Sequence, residues 1–201
     1  MAIAYKTCNG GTIPDYICDP CEDTEKGRIR GAALIHKSLL SALATVVTPA
    51  TTKNIETKAW WETQIEAGLI KTFPKVRGTY DGGAPITTTG FGDVKEKTIG
   101  KTHTVVINDP NHKGNATFYD AIEENATDYV PAFITGSELR AGTTTLQSAV
   151  AKDEVSDDVD SEVVWSMTLV WKQTARPYNV PIYVLGDVKN VFNCIDKTAG
   201  V

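Results

Sequence analysis

The sequence offers little to membranes, nucleic acid or redox chemistry. It has no apolar run of about 18 residues, so no segment reads as a membrane-spanning helix. Its first residues, Met1 to Cys8, lack the basic and apolar regions of a secretory signal. The expectation is a chain made and kept in a cytosol, or incorporated from one. Formal charge is −5 and no basic block occurs, which argues against a grip on phosphate backbones by counterion release. A surface that nucleic acid passes without sticking remains compatible. The three histidines, His36, His103 and His112, form no HxH, HExxH or H-x-E…C pattern, so a metalloenzyme is poorly supported. Gly136-Ser137 lacks the frame of a nucleophile elbow. Gly90-Phe91-Gly92-Asp93 lacks the third glycine and βαβ context of a dinucleotide fingerprint. No catalytic constellation emerges, and the chain is expected not to be an enzyme.

What is present is one core's worth of apolar residues, 41% of 201, which suits a single domain. Cysteines are few and placed at the ends: Cys8, Cys18 and Cys21 near one terminus, Cys194 near the other. Cys18-Asp19-Pro20-Cys21 is a CxxC. With Cys8 it offers three thiolates to a structural zinc, with Cys194 or a histidine as the fourth ligand. Reduced thiols around a turn, or disulfides formed after release, are the alternatives. Residues 1–27, rich in Gly, Pro and charge, read as an extended arm, and 28–201 as one β-rich domain.

Periodicity fills in that domain. Ile29, Ala33 and Ile35 alternate with Arg28, Arg30 and Leu34 in a first strand. Leu39, Leu40, Leu43, Val46 and Val47 recur at helical spacing until Pro49. Trp61, Ile65, Gly68 and Leu69 make one face of a helix over 56–68, with Trp60 at its flank. Those tryptophans either anchor the helix on a sheet or fill a partner's pocket. Strands are expected over 75–80 and 101–108. Between them, Asp81 to Gly92 is rich in glycine and threonine and reads as a long protruding arm over 78–97, not a tight hairpin. Asn115 caps a helix to Ala126 whose stripe is Phe118, Ala121, Ile122 and Ala126.

Strands follow. Tyr129 to Thr135 carries Pro131, a hint of an edge position. Over 144–151, Thr144, Leu146, Ser148 and Val150 oppose Thr145, Gln147 and Ala149. Over 162–172, Val163, Trp165, Met167, Leu169 and Trp171 share one face. The acidic tip between these two holds Asp157, Asp158, Asp160 and Glu162, without the spacing or glycine of an EF-hand. Ile182 to Leu185 is a last strand, and Val188 to Ile195 a short helical turn. The fold class expected is mainly β with flanking helices, an antiparallel sandwich or barrel.

Gly27-Arg28-Ile29-Arg30 opening the first strand, the Trp60-Trp61 helix, the arm around Gly82 to Gly92, the Asn115 helix and the closing strands cover most of residues 27–185. That order resembles the ring and tail-tube structural proteins of tailed bacteriophages, especially the crAss-like and other Bacteroidetes-infecting phages. The resemblance implies a homo-oligomeric ring in the tail, neck or portal-connected part of a virion, assembled in the host bacterial cytoplasm. Neighbouring virion proteins would be its partners, and DNA would pass through its lumen. Trp60, Trp61, Gly83, Ile86 and Phe91 are the residues expected at subunit contacts. The alternative is a soluble β-module whose long loop and acidic tip hold a ligand or calcium.

Overall fold

A computed structural model of the chain describes residues 28–46, 52–89, 97–109, 112–154, 164–174 and 176–181. Among these, nine strands form one antiparallel sheet, flanked by short helices. The strands are β1 (Ile29–His36), β2 (Ile70–Tyr80), β3 (Ala84–Thr88), β4 (Lys97–Asp109), β5 (Tyr129–Ile134), β6 (Glu138–Ala141), β7 (Leu146–Glu154), β8 (Val164–Gln173) and β9 (Tyr178–Pro181). Their order across the sheet is β7-β8-β4-β2-β1-β5-β6-β9, with β3 paired to β4 off this path.

The sheet must curl. Residues 174–177 join β8 to β9, although five strands stand between them in the order. Flat, that separation is about 29 Å at the usual strand spacing, whereas the connection spans at most about 17 Å. The curl brings β5 against β7. Inside it lie Leu34 of β1, Phe73 of β2, Ile107 of β4, Phe133 of β5, and Met167 and Trp171 of β8. The expected stripe on β8 is therefore the inner face of that strand. The outer face of β1 and β5 carries a second cluster, Ala33, Ile35, Val130 and Ala132, covered by Leu43, Ile55 and Trp61.

Helix α2 (Lys58–Glu66) follows α1 (Leu40–Leu43), and Trp61 is its anchor: fully buried, with Nε1 donating to the Ile55 carbonyl at 2.8 Å. Trp60 is half-buried and meets Trp61 edge-to-face at 5.6 Å. Gly68, at φ 74, ends the helix. Leu69 N–H donates to the Gln64 carbonyl and Gly68 N–H to that of Ile65, the Schellman pattern.

Several expectations need correction. The helix expected from Leu39 to Val47 is a 3₁₀ turn followed by the single turn α1, because Val46 instead bridges to Lys53. A bulge between Ile29 and Gly31 places Ile29 with Ala32 and Leu34, not with Ala33 and Ile35. A second bulge between Leu146 and Ser148 puts Leu146 and Ala149 together inside, leaving Val150 45% exposed. Pro131 lies in an interior strand, β5. Its carbonyl accepts from Gly142 N–H at 2.8 Å, and its missing donor falls where the β6 ladder ends. The arm is in part a hairpin, since β3 returns antiparallel along β4. The last strand described is β9. Residues 182–195, the acidic tip over 155–163, Phe91 and all four cysteines lie outside the described residues.

Asn115 is not the cap of its helix. Helix α3 spans His112–Glu124, and Asn115 Nδ2 donates to Asp109 Oδ2 at 2.8 Å. Tyr119 OH donates to the same oxygen at 2.6 Å. Tyr119 and Ile122 are the buried residues on α3, while Ala121 is exposed. Burial, reinforced by the Asp109 carboxylate, holds the Tyr119 phenol well above the ordinary phenol range. This charge-assisted pair ties α3 to the end of β4. Tyr119→Phe should cost about 1.5–3 kcal/mol of stability in urea denaturation. A variant as stable as wild type would remove the tie from the account.

Candidate functional site

The register sets up one end of the sheet before any side chain is considered. Ile29, Tyr80, Ile134 and Pro181 all sit at strand ends pointing the same way, as do Gln173 of β8 and Lys97 of β4. Residues 1–27 join the described body at this end through Arg28, and residues 182–201 through Pro181. The same end holds a cleft of about 460 Å³ between the β2–β4 wall and the β6–β9 wall.

The β2–β4 wall is aromatic. His103 pairs in register with Trp171, and their rings stack 5.2 Å apart. Tyr80 stacks on both, at 5.8 Å from His103 and 6.1 Å from Trp171. The Tyr80 hydroxyl and His103 Nδ1 share a hydrogen bond of 2.7 Å. Trp171 Nε1 donates to Gln173 Oε1 at 2.9 Å, and the same oxygen accepts from Thr143 N–H at 3.0 Å. From the facing wall, the Arg140 guanidinium lies 5.5 Å from the Tyr80 ring centre while its Nε donates to Glu138.

Asp81 makes the turn at the rim. Its Oδ1 accepts from Gly83 N–H at 2.9 Å and Thr104 N–H at 3.0 Å, while its own N–H donates to the Thr104 carbonyl at 3.1 Å. Gly82 and Gly83 follow with positive φ, and a Cβ on Gly83 would meet His103 Cε1 at 2.5 Å. Gly83 is thus required for the ring stack beneath it. Gly83→Ala should lower stability by about 1–3 kcal/mol through backbone strain alone, measured by urea midpoint. No change would show that the turn relaxes freely.

Beyond this turn, β3 and the start of β4 form a ribbon. The last β4–β8 pair is Lys101 with Gln173, and the last β2–β4 pair is Tyr80 with Val105. Past those pairs only β3 accompanies β4 among the described strands. Ala84, Pro85, Thr87, Thr88, Lys97, Thr98 and Ile99 are exposed and Ile86 is half-exposed, so most of the ribbon is open to solvent, with Ile86, Ile99 and Gly100 beside Thr144, Lys172 and Gln173. A bulge pairs Ile86 with Gly100 and Thr87 with Thr98, leaving Ile99 as the extra residue, 49% exposed and lining the cleft.

The cleft's three cations outnumber the two carboxylates beside it. Lys101, Arg140 and Arg176 line it, with no Asp or Glu among the lining residues. The nearest carboxylates are engaged: Asp81 with two backbone N–H groups, Glu138 with Arg140. Burial lowers the His103 pKa, Asp81 opposes this and Lys101 adds to it, so the imidazole is neutral at neutral pH. Burial raises the Tyr80 phenol pKa, with Arg140 working against the rise. At neutral pH the imidazole is therefore neutral and the phenol keeps its proton. The arrangement suits binding of an anion.

The residues expected at contacts do not converge. Gly83 and Ile86 belong to this end, Trp61 is spent in its own core, and Trp60 lies beside it on the other face of the sheet. Among the described residues, no group of three or more His, Cys, Asp or Glu could hold a metal ion. None of their helices is long and apolar enough to cross a membrane. Tyr80, Arg140 and Arg176 were not foreseeable as one site, since they come from β2, β6 and a loop.

His103 gives the site a pH signature. Its folded pKa lies below the unfolded value of about 6.5, so the unfolded chain takes up the proton first as pH falls. Its contribution is complete above about pH 6.5 and is lost as pH drops through the folded value. Urea midpoints taken between about pH 7.5 and 5.5 should fall more for wild type than for His103→Gln. Parallel profiles would exclude His103 as the source. Comparisons of the chain with protein-family models, with curated proteins and with solved structures each find no match.

Proposed function

We propose that this chain is a structural subunit of a tailed-phage virion. Copies assemble into a ring around a DNA passage in the tail, neck or portal-connected region, beside other virion proteins and without a catalytic role. The observation that carries this reading is the β3–β4 ribbon, largely exposed and set at the end where both terminal segments join the body. A two-stranded ribbon alone is marginal in water. Docking on an adjacent copy covers it and uses its open edge, as in strand addition. The other sheet edge supports the same reading by contrast: the Glu123 carboxylate of α3 accepts from Ala151 N–H of β7, so that edge is guarded.

A charge of −5 suits a passage that DNA traverses without binding. A structural zinc on Cys8, Cys18, Cys21 and Cys194 belongs to the same proposal, because both segments that carry these residues start from one end of the sheet. The second reading, a soluble ligand-binding module, is favoured by the cleft. Its cations suit an anion and are a poor match to calcium.

Electron micrographs of the purified chain at high concentration should show closed rings. A variant with residues 84–99 replaced by a short Gly-Ser turn should stay folded by circular dichroism but run as a monomer. A wild-type chain that remains monomeric at every concentration would overturn the ring and favour the module.

A further inference from the structure

The two ends of the β7–β8 hairpin carry opposite charge. At the Gln173 end is the cleft with Lys101, Arg140 and Arg176. At the other end, residues 155–163 connect Glu154 to Val164, which pair with each other. That connection reads Val-Ser-Asp-Asp-Val-Asp-Ser-Glu-Val, with four carboxylates, Asp157, Asp158, Asp160 and Glu162, and no cation.

The loop cannot serve the cleft of its own chain. From Val164 to Gln173 the strand rises about 30 Å, whereas nine residues that leave and return to one point reach at most about 16 Å. Only on a second copy can the acid of this loop meet such a cleft. We infer that the cleft receives the 155–163 loop of a neighbouring copy, so that copies associate head to tail. This rests on the reading of the chain as a self-assembling subunit and names the surfaces that meet.

Charge and geometry agree on this occupant. The contact is heterologous: each copy offers a cleft at one end and a loop at the other, the arrangement that yields rings or stacks. Net repulsion between copies of charge −5 is screened beyond about 8 Å at physiological salt, while arginine and carboxylate in contact are not. Nucleic acid fits less well, since the cations are confined to one cleft and no basic stripe extends from it along the sequence.

The test uses a synthetic peptide of residues 153–164 and the full chain held dilute enough to be monomeric. Wild type should bind the peptide, and Lys101→Glu/Arg176→Glu at least about tenfold more weakly, with binding falling as salt rises. Both substituted residues are exposed, and an unchanged thermal melt confirms that the variant folds. In whole chains, the cleft reversal and a loop reversal (Asp157→Lys/Asp158→Lys/Asp160→Lys) should each abolish self-association, and mixing the two should restore it. Equal peptide binding by wild type and the cleft variant overturns the inference. So does a single-stranded oligodeoxynucleotide that takes the cleft in preference to the peptide. Peptide binding by a chain that never forms rings upholds the cleft and ends the ring proposal. Rings that persist in both charge-reversed variants end the cleft proposal alone.

Discussion

The ladder between β4 and β8 is the constraint on which the rest of the molecule depends. It runs without a slip from Lys101 with Gln173 to Asp109 with Trp165. Because strand side chains alternate, an unbroken register places Trp165, Met167, Leu169 and Trp171 on one side of the sheet, facing Phe133 and α3 across the curl. A one-residue slip would turn all of them outward. The same ladder sets the length of the axis between the cleft and the Glu154–Val164 pair. It also ends before β4 does, and that overshoot is the ribbon.

Each end of this axis is finished by polar groups that the interior must satisfy. At the lower end, Asp109 receives Asn115 and Tyr119 and binds α3 to the sheet. At the upper end, Tyr80 with His103, Trp171 with Gln173, and Arg140 with Glu138 line the rim, each using a partner from the same or a facing strand. Such partners offset the cost of burying polar groups, although His103 Nε2 and Gln173 Nε2 are buried here without one. The ribbon has no comparable support beneath it, so the molecule combines a well-determined body with one extension that gains most from a neighbour. That contrast is the physical basis for reading the chain as a component of an assembly.

Much of the body could be read from residues alone, and the failures share a cause. Trp165 to Trp171 alternates without interruption and lies where alternation puts it. Trp61 and Ile65 mark the helix by spacing, whereas Gly68, counted with them in its apolar face, lies past the last turn with a positive φ. By contrast, Ile29 and Val150 were grouped with the wrong neighbours because the register of each strand against its partner shifts nearby, and such a shift leaves no compositional mark. Pro131 suggested an edge, yet the lost donor is harmless where the neighbouring strand stops at Ala141. The strands β3, β6 and β9 are four or five residues long, too short for a period to show.

The residues by themselves determined the class of fold, the placement of cysteines at the two ends, the concentration of acid in one loop and the lack of any familiar catalytic pattern. Those are properties of composition and local period, which survive without coordinates. Only the tertiary structure decided that Tyr80, Lys101, His103, Arg140 and Arg176 share one cleft, and that this cleft lies at the end of the sheet opposite the Glu154–Val164 pair. The reason is the curl: a four-residue connection draws the last strand of the order back beside β8, and sequence distance carries no trace of that closure.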